Sequence, residues 1–266
     1  MSVDGNKCKI IAIANQKGGV GKTTTAVNLA AGLNLKGYKT LLVDFDPQGN
    51  ATSSFGISKH DDGVTIFELI GGAGSAGSGI RHTKYGDIIP SSINLVGSEI
   101  TLVNVDNREY CLKKVLDPLR SDYDIMLIDC APGLGLLMVN ALCASDGVLI
   151  PLQCEYLALE GLSMMIDTIR SLKKKLNPTL ELDGLLFTMF DGRTNLSGQV
   201  VREVKKYFAD KIYKTVIPRN VRLSEAPSHG KPVQFYDKYS KGAESYSELT
   251  EEFLHRNHLQ SVRRVV

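Results

Sequence analysis

The sequence predicts an α/β fold, with a mostly parallel, doubly wound sheet and helices on both faces. Three observations support this prediction: short apolar β-branched runs, helical segments alternating with them, and 266 residues that are 43% hydrophobic and 23% charged. Buried parallel strands read as continuous apolar runs, and strand–helix alternation covers both sheet faces. We expect one domain over residues 1–266, with a core at about 8–250.

The first elements form a βαβ unit. "CKIIAIA" (8–14) and "KTLLVD" (39–44) are typical of buried strands. Residues 23–37 read as a helix that ends at Gly37, so we expect parallel strands and a right-handed crossover. Further strands are predicted at 124–129, 147–152, 182–190 and 214–218, and further helices at 136–145, 159–176, 197–209 and 242–256.

Several features limit the class of protein. Residues 71–79 contain five glycines in nine positions, which predicts a flexible surface loop. The five cysteines form no C-x-x-C pair, which favours reduced buried thiols over a zinc or iron–sulfur site. Residues 1–9 lack the apolar core of a secretory signal, and no apolar run approaches the roughly 20 residues of a membrane span. We expect a cytoplasmic protein.

The segment "NQKGGVGKTTT" (15–25) predicts a phosphate-binding loop between strand and helix. Its end fits G-x-x-x-x-G-K-[ST], although Gln16 stands where the first glycine belongs. The glycines allow backbone N–H groups to turn inward, and the following helix N-terminus adds partial positive charge. Lys22 is expected to reach the β- and γ-phosphates, and the Thr23 hydroxyl to bind Mg²⁺. The predicted nucleotide-binding residues of this segment are Lys17, Gly18, Gly19, Val20, Gly21, Lys22, Thr23 and Thr24.

Three acids follow predicted strands and are therefore expected at the same sheet edge as this loop. Asp129 has the form of a Walker B acid that binds Mg²⁺ through water, and Asp44 is a second metal candidate. Asp46 lies in the turn "DFDPQGN", where it is placed to orient or deprotonate an attacking water, with help from Gln48. A strand-end cap is the alternative role for Asp44 or Asp46. Pro47 and Gly49 suggest that this turn switches with the γ-phosphate.

Lys17 is a second lysine in the loop. A further cation near the phosphates stabilises the charge that shifts during phosphoryl transfer. Because Lys17 begins the loop, it is badly placed for its own nucleotide, so it either reaches the nucleotide of a two-fold partner or points to solvent.

Five segments together resemble the ParA/Soj family of chromosome- and plasmid-partitioning ATPases, whose deviant Walker A motif carries the extra lysine. They are "KGGVGKTT" (17–24), "DFDPQGNAT" (44–52), "IDCAPGLG" (128–135), "MFDGRTNLS" (189–197) and "VIPRNVRLSEAPSHGKP" (216–232). The short stretch before the first strand suggests the chromosomal type, without an N-terminal helix-turn-helix domain. "CAPGLG" departs from the common "CPPSLG", and Gly133 is expected to loosen that loop.

The resemblance implies specific roles. Lys17 acts across an ATP-sandwich homodimer, Asp46 is catalytic, Thr23 holds magnesium, and Pro218 and Asn220 lie against the adenine. The ATP-bound dimer binds double-stranded DNA without sequence preference, which implies association with the nucleoid. A ParB/Spo0J-like centromere-binding protein stimulates hydrolysis and releases the dimer.

The charge distribution offers a surface for DNA. Residues 1–192 contain 17 Lys/Arg and 21 Asp/Glu, whereas residues 193–266 contain 14 and 8. This basic end is either a polyanion contact or a solvated surface. Arg219 and Arg222 are the strongest DNA candidates, with helix capping or salt bridging as the alternative. The full candidate set is Arg219, Arg222, Lys231, Lys238, Lys241, Lys205 and Lys206.

Three other functions compete with partitioning. A metabolic P-loop kinase or synthetase needs a pocket for a phosphate acceptor. A MinD-like membrane-associated ATPase needs an amphipathic basic tail, for which residues 251–266 are only a weak match. A nucleotide-gated scaffold needs no catalysis.

Overall fold

The computed structural model describes residues 8–259 apart from residues 60, 156 and 157. Its strands are β1 (Lys9–Ile13), β2 (Thr40–Phe45), β3 (Arg81–Thr83), β4 (Gly86–Ile89), β5 (Ile125–Cys130), β6 (Gly147–Gln153) and β7 (Glu181–Thr188). Within the described residues they form a seven-stranded sheet in the order β3–β4–β2–β5–β1–β6–β7. Neighbouring strands are parallel except β3 and β4, which are antiparallel.

The helices connect these strands. They are α1 (Lys22–Leu35), α2 (Asn50–Ser54), α3 (Ile66–Ile70), α4 (Ser98–Thr101), α5 (Cys111–Leu116), α6 (Leu136–Ala144), α7 (Ala158–Lys175), α8 (Asn195–Phe208), α9 (Val221–Glu225), α10 (Val233–Tyr236) and α11 (Lys241–Arg256). Short 3₁₀ segments occupy Ala76–Gly79, Ile93–Gly97, Arg108–Tyr110, Asp117–Ser121 and Ala226–His229. None of the helices in the described part of the chain combines the length and apolar character needed to cross a bilayer.

The sheet separates two hydrophobic cores. Ile10 and Ala12 of β1 face the core that α3, α5, α6, α7 and α8 cover. Ile11 and Ile13 face the opposite core, which contains side chains of α1, α2, α10 and α11. This alternation follows from the two-residue period of a strand. The predicted doubly wound, mostly parallel α/β fold is confirmed.

The order of the central strands aligns the predicted site. β5 lies between β1 and β2, and it is parallel to both, which confirms the parallel βαβ unit. Asp129 of β5 is in register with Asp44 of β2 on one side and with Ile13 of β1 on the other. The carboxyl ends of β1, β2 and β5 therefore meet where the phosphate-binding loop leaves β1.

The predicted strand at 214–218 is wrong. Isolated parallel bridges lie at Ile212, before the segment, and at Pro218, at its end, and the Ile217 N–H donates to the Phe187 carbonyl of β7 at 2.9 Å. Between them, the N–H groups of Lys214 and Thr215 donate to the Glu252 carboxylate of α11 at 2.7 and 2.8 Å. Because a side chain accepts from these two donors, the pairing with β7 is interrupted at Lys214 and Thr215 and no continuous strand forms.

Two other regions differ from expectation. β3 and β4 form an edge hairpin that the sequence analysis missed, because each strand has only three or four residues. The glycine-rich segment 71–79 ends in the 3₁₀ turn Ala76–Gly79, and Gly79 is buried close to Leu69. That turn shows local order in the predicted loop. Of the tail at 251–266, residues 260–266 lie outside the described residues.

Candidate functional site

The phosphate-binding loop enters α1 through a left-handed backbone. Gly21, the residue before the helix, has φ +90°, and Gly19 has φ +75°. Residues with a Cβ disfavour such angles, so the loop requires glycine at these points. A Cβ added to Gly18 or Gly19 would meet no atom within 4 Å, so this side of the loop has room for a ligand.

Neighbouring segments hold the loop in place. The Thr188 hydroxyl at the end of β7 donates to the Val20 carbonyl at 2.7 Å. The Gly133 N–H donates to the Gln16 carbonyl at 2.9 Å. This bond ties the "CAPGLG" segment to the residues before Lys17, and the expected looser loop at Gly133, which has φ +98°, stays a prediction. Thr188 was not predicted, since no short motif links the two positions.

Lys22 is the buried cation of the site. Its side chain is almost inaccessible, and its ammonium donates to the Lys17 carbonyl at 2.9 Å. Burial lowers the pKa of Lys22, and the nearby Asp129 carboxylate opposes this shift. The ammonium therefore lies inside the curve of the loop, where phosphate oxygens are expected.

Asp129 and Asp44 form a buried acidic pair. Among the described residues, neither carboxylate oxygen of Asp129 makes a hydrogen bond of regular geometry, although the Thr23 side chain and the Lys22 charge lie close enough to act on its pKa. Burial, followed by the charge of Asp44, raises the pKa of Asp129 well above its usual value. Asp44 accepts from the Thr52 N–H at 2.7 Å and from the Thr52 hydroxyl at 2.6 Å, and burial raises its pKa to about 6. Two buried carboxylates of this kind suit a divalent cation, directly or through water.

Asp46 lies in a tight turn after β2. Its carboxylate accepts from the Gln48 N–H at 2.9 Å. Its carbonyl oxygen accepts from the Ser91 hydroxyl at 2.6 Å and from the Gly49 N–H at 2.9 Å. The turn is therefore fixed from within the chain. Ser91 lies 45 residues away and carried no signal in the sequence.

A cleft of about 290 Å³ adjoins the loop at Gly21 and Thr24. Pro218 and Asn220, which are predicted to lie against adenine, line this cleft, and Asn220 also caps α9 by accepting from the Arg222 N–H at 2.9 Å. The other residues lining it are Thr188, Met189, Ile217, Arg219, Leu223, Ser224, Pro227 and Tyr246. Cavities of about 430 and 560 Å³ elsewhere include no residue of the phosphate-binding loop.

The structure divides the basic candidates into two groups. Arg222 pairs with Glu225 at 2.7 Å and with Asp237 at 3.3 Å, and carboxylates also pair with Lys206 and Lys241. These pairs favour the salt-bridge alternative for Arg222. The Lys238 ammonium lies 4.9 Å from the centre of the Tyr239 ring. The described residues contain no ion pair to Arg219, Lys205, Lys231 or Lys238.

Lys17 lies beside the loop rather than inside it. Its N–H donates to Asn15 Oδ1 at 3.0 Å, and its ammonium pairs with Glu155 of the same chain. Both partners are partly exposed, at 42% for the Lys17 side chain and 44% for that of Glu155. The structure thus places Lys17 at the surface of the nucleotide edge.

Comparisons with known proteins agree with this geometry. The AAA domain family matches residues 8–182. The sporulation initiation inhibitor protein Soj of Bacillus subtilis is 56% identical over 246 residues, covering 92% of this chain and 97% of that protein. The chromosome-partitioning ATPase Soj of Treponema pallidum is 49% identical over 251 residues, covering 94% and 98%.

A solved structure extends the likeness to three dimensions. Cobyrinic acid a,c-diamide synthase from Mycobacterium smegmatis, with bound ATP analog and magnesium, is 36% identical and has a TM-score of 0.85. The match covers 96% of this chain and 97% of that chain. From the motifs, the P-loop architecture and the near full-length identity to the Soj proteins, the chain belongs to the ParA/Soj family of chromosome-partitioning ATPases.

Proposed function

We propose that this protein is a magnesium-dependent ATPase that partitions DNA through a cycle of ATP-driven dimerisation, DNA binding and hydrolysis. One observation carries the proposal: the buried carboxylate of Asp129, which makes no regular hydrogen bond within the described part of the chain, lies at the sheet edge where the buried Lys22 ammonium and the phosphate-binding loop meet. Burying an acid with so little compensation is costly to folding, and a bound cation offsets that cost. The Soj and ParA names of the relatives support the same role.

The residues fit Mg²⁺ and ATP. Thr23, Asp44 and Asp129 would hold the metal, which when bound neutralises phosphate charge and polarises the transferred phosphoryl group. Lys22 and the N–H groups of residues 18–24 would bind the phosphates, and the cleft beside Pro218 and Asn220 would take the base. The ATP analog and magnesium of the similar solved structure support this assignment.

Asp46 would act on the attacking water. The residue is 7% exposed, and the Gln48 N–H donates to one carboxylate oxygen, which leaves the other oxygen available to accept. A carboxylate held in this way aligns a water and accepts its proton as the bond to phosphorus forms. The alternative role of Asp46, capping the end of β2 through the Gln48 N–H, is compatible with this catalytic role.

Lys17 would serve the nucleotide of a second protomer. Its surface position at the nucleotide edge suits a face-to-face homodimer better than contact within the loop. ATP would then join two copies and bring their basic ends together on a shared surface for non-specific DNA. A ParB-like partner would stimulate hydrolysis and release the dimer from the nucleoid.

DNA retention with ADP, ATP and a non-hydrolysable analogue, at two salt concentrations, tests this proposal. We expect retention with ATP and the analogue, little with ADP, and a steep loss with salt. Equal retention in all nucleotide states would contradict nucleotide-gated DNA binding. Pelleting with liposomes in ATP, or transfer of phosphate to a small acceptor, would instead support the membrane-associated or metabolic alternative.

A further inference from the structure

A lysine outside all the motifs contacts the turn that carries Asp46. Lys59 lies beyond α2, and its ammonium donates to the Gln48 carbonyl at 2.5 Å and to Asn50 Oδ1 at 3.1 Å. Among the described residues no carboxylate forms an ion pair with Lys59. Its charge is therefore directed at the oxygens of this turn.

The hydrocarbon stem of Lys59 covers Gly49. Three of its carbons lie 3.6–3.7 Å from the position that a Cβ on Gly49 would occupy. Gly49 is buried although Gln48 and Asn50 on either side are exposed. Gly49 also has φ +60°, so the turn has a left-handed residue directly beneath the lysine stem.

The ammonium and Asp46 hold opposite ends of one peptide group. The carbonyl of Gln48 and the N–H of Gly49 belong to the same planar unit. The carbonyl accepts from Lys59, whereas the N–H donates to the Asp46 carbonyl at 2.9 Å. Ser91 holds the Asp46 carbonyl from the buried side at 2.6 Å. The turn is thus fixed from the interior by Ser91 and from the surface by Lys59.

We infer that Lys59 is a positioning residue that fixes the Asp46 turn for hydrolysis. The inference rests on the proposed ATPase function, in which Asp46 must hold a water in line with the phosphate. Without Lys59 the Gln48–Gly49 peptide loses its outer hydrogen bond and can rotate, which moves the Asp46 carboxylate. Small displacements of catalytic groups cost up to about 100-fold in rate. Nucleotide affinity is not expected to change, because the contacts of Lys59 lie outside residues 17–24.

Three variants separate positioning from general effects. Lys59→Ala is expected to lower kcat about tenfold with the Kd for Mg-ATP changed less than about twofold. Lys59→Arg keeps a donor on a long stem and should restore kcat to within about threefold of the wild type. Lys174→Ala removes an exposed lysine of α7 and should behave as the wild type. An unchanged kcat in Lys59→Ala would overturn the inference. So would a Lys59→Arg variant that is as slow as Lys59→Ala, if both variants bind ATP equally weakly.

Hydrogen exchange in nucleotide-free protein provides a readout that needs no hydrolysis. A peptide covering residues 46–50 should exchange about fivefold or more faster in Lys59→Ala than in the wild type or Lys174→Ala. Unchanged exchange would reject the role of Lys59 even if kcat fell. A wild-type protein that hydrolyses no ATP would contradict the proposed function, while exchange would still decide whether Lys59 holds the turn.

Discussion

Lys17 forms an ion pair with Glu155 of its own chain, between the start of the phosphate-binding loop and the connection from β6 to α7. Glu155 follows β6, so the pair lies at the nucleotide edge of the sheet. In the proposed cycle Lys17 turns from Glu155 to the nucleotide of a second protomer. Glu155 then competes with the partner's phosphates for the charge of Lys17.

Lys17→Ala should separate nucleotide binding from dimerisation. The substitution leaves Lys22 and the glycines of the loop in place, so ATP binding should change less than about threefold by fluorescent-nucleotide titration. The proposed dimer should be lost in light scattering with ATP, and hydrolysis should fall with it. A variant that turns over ATP at the normal rate would contradict the cross-subunit role.

Glu155→Gln should have the opposite effect on assembly. Exposed ion pairs contribute at most about 1 kcal/mol each, and two pairs break in a two-fold dimer, so the ATP-bound dimer should tighten by no more than about 30-fold. Sedimentation across a concentration series in ATP measures the change. Glu160→Gln, also near the start of α7, is the matched control because no ion pair to Glu160 occurs within the described ranges. Equal dimer affinity in Glu155→Gln and the wild type would show that the pair does not compete.

Asp46→Ala should trap the DNA-bound dimer. Removing the carboxylate removes the group proposed to align the attacking water, whereas the phosphate and metal residues stay. We expect hydrolysis to fall by about 100-fold or more, with ATP-dependent DNA retention maintained. Light scattering with ATP and a DNA-retention assay check both parts. Residual hydrolysis near the wild-type rate would assign the water to another residue.

The central part of the site was predictable because its determinants are local in sequence. Asp44 and Asp129 each follow a buried apolar run, Lys22 follows the glycine loop that leaves β1, and parallel strands bring such positions to one edge. Their register across β1, β5 and β2 then follows from the strand order. The cleft at Pro218 was expected only from the family resemblance.

The supporting contacts were not predictable because they join distant residues with no shared pattern. Ser91 and Lys59 reach the Asp46 turn from β4's end and from beyond α2. Glu252 of α11 takes the N–H groups of Lys214 and Thr215 and prevents a strand that local propensity favours. Hydrophobic periodicity predicts which face of a helix or strand is buried. It does not predict which polar side chain from elsewhere in the chain will form hydrogen bonds with that element.

Arg219→Glu with Arg222→Glu should abolish DNA retention at moderate salt while the ATP dimer persists. The double reversal replaces two positive charges per protomer on the exposed turn beside the cleft. Loss of phosphate contacts should also flatten the salt dependence of binding. Filter retention across a salt series measures both effects, and unchanged retention would place the DNA surface elsewhere.

The ion pairs of Arg222 require a control for this experiment. Arg222 contacts Glu225 and Asp237, so its reversal also disturbs α9 and α10. Arg219→Glu alone leaves the ion pairs of Arg222 intact, and because Arg219 also lines the proposed nucleotide cleft, the Kd for Mg-ATP is measured beside DNA retention. Lys174→Glu changes charge equally on the exposed face of α7 and should retain DNA. Retention lost in Lys174→Glu as well would indicate a net-charge effect rather than a defined surface.

Asp44→Asn should stabilise the nucleotide-free protein at neutral pH. Burial raises the pKa of Asp44 from 3.8 to about 6, so the folded state holds this proton more tightly than the unfolded state. The contribution of Asp44 to stability is therefore greatest below about pH 4 and is lost as pH rises through about 6. A shift of about two pKa units corresponds to a stabilisation of at most about 3 kcal/mol in the Asp44→Asn variant. Part of this gain is lost, because the new side-chain amide places an N–H group against the Asp46 N–H that Asp44 accepts from in the wild type.

Urea unfolding of Asp44→Asn and wild type at pH 4 and pH 7.5, without Mg²⁺ or nucleotide, isolates this effect. The difference in unfolding free energy should be small at pH 4 and favour the variant at pH 7.5, because only the wild type then buries a charge at position 44. Adding Mg-ATP should reverse the order, since the metal binds the ionised carboxylate and stabilises the wild type more. A variant that is less stable at pH 7.5 without ligand would show that the bonds from Thr52 outweigh the cost of burying the charge.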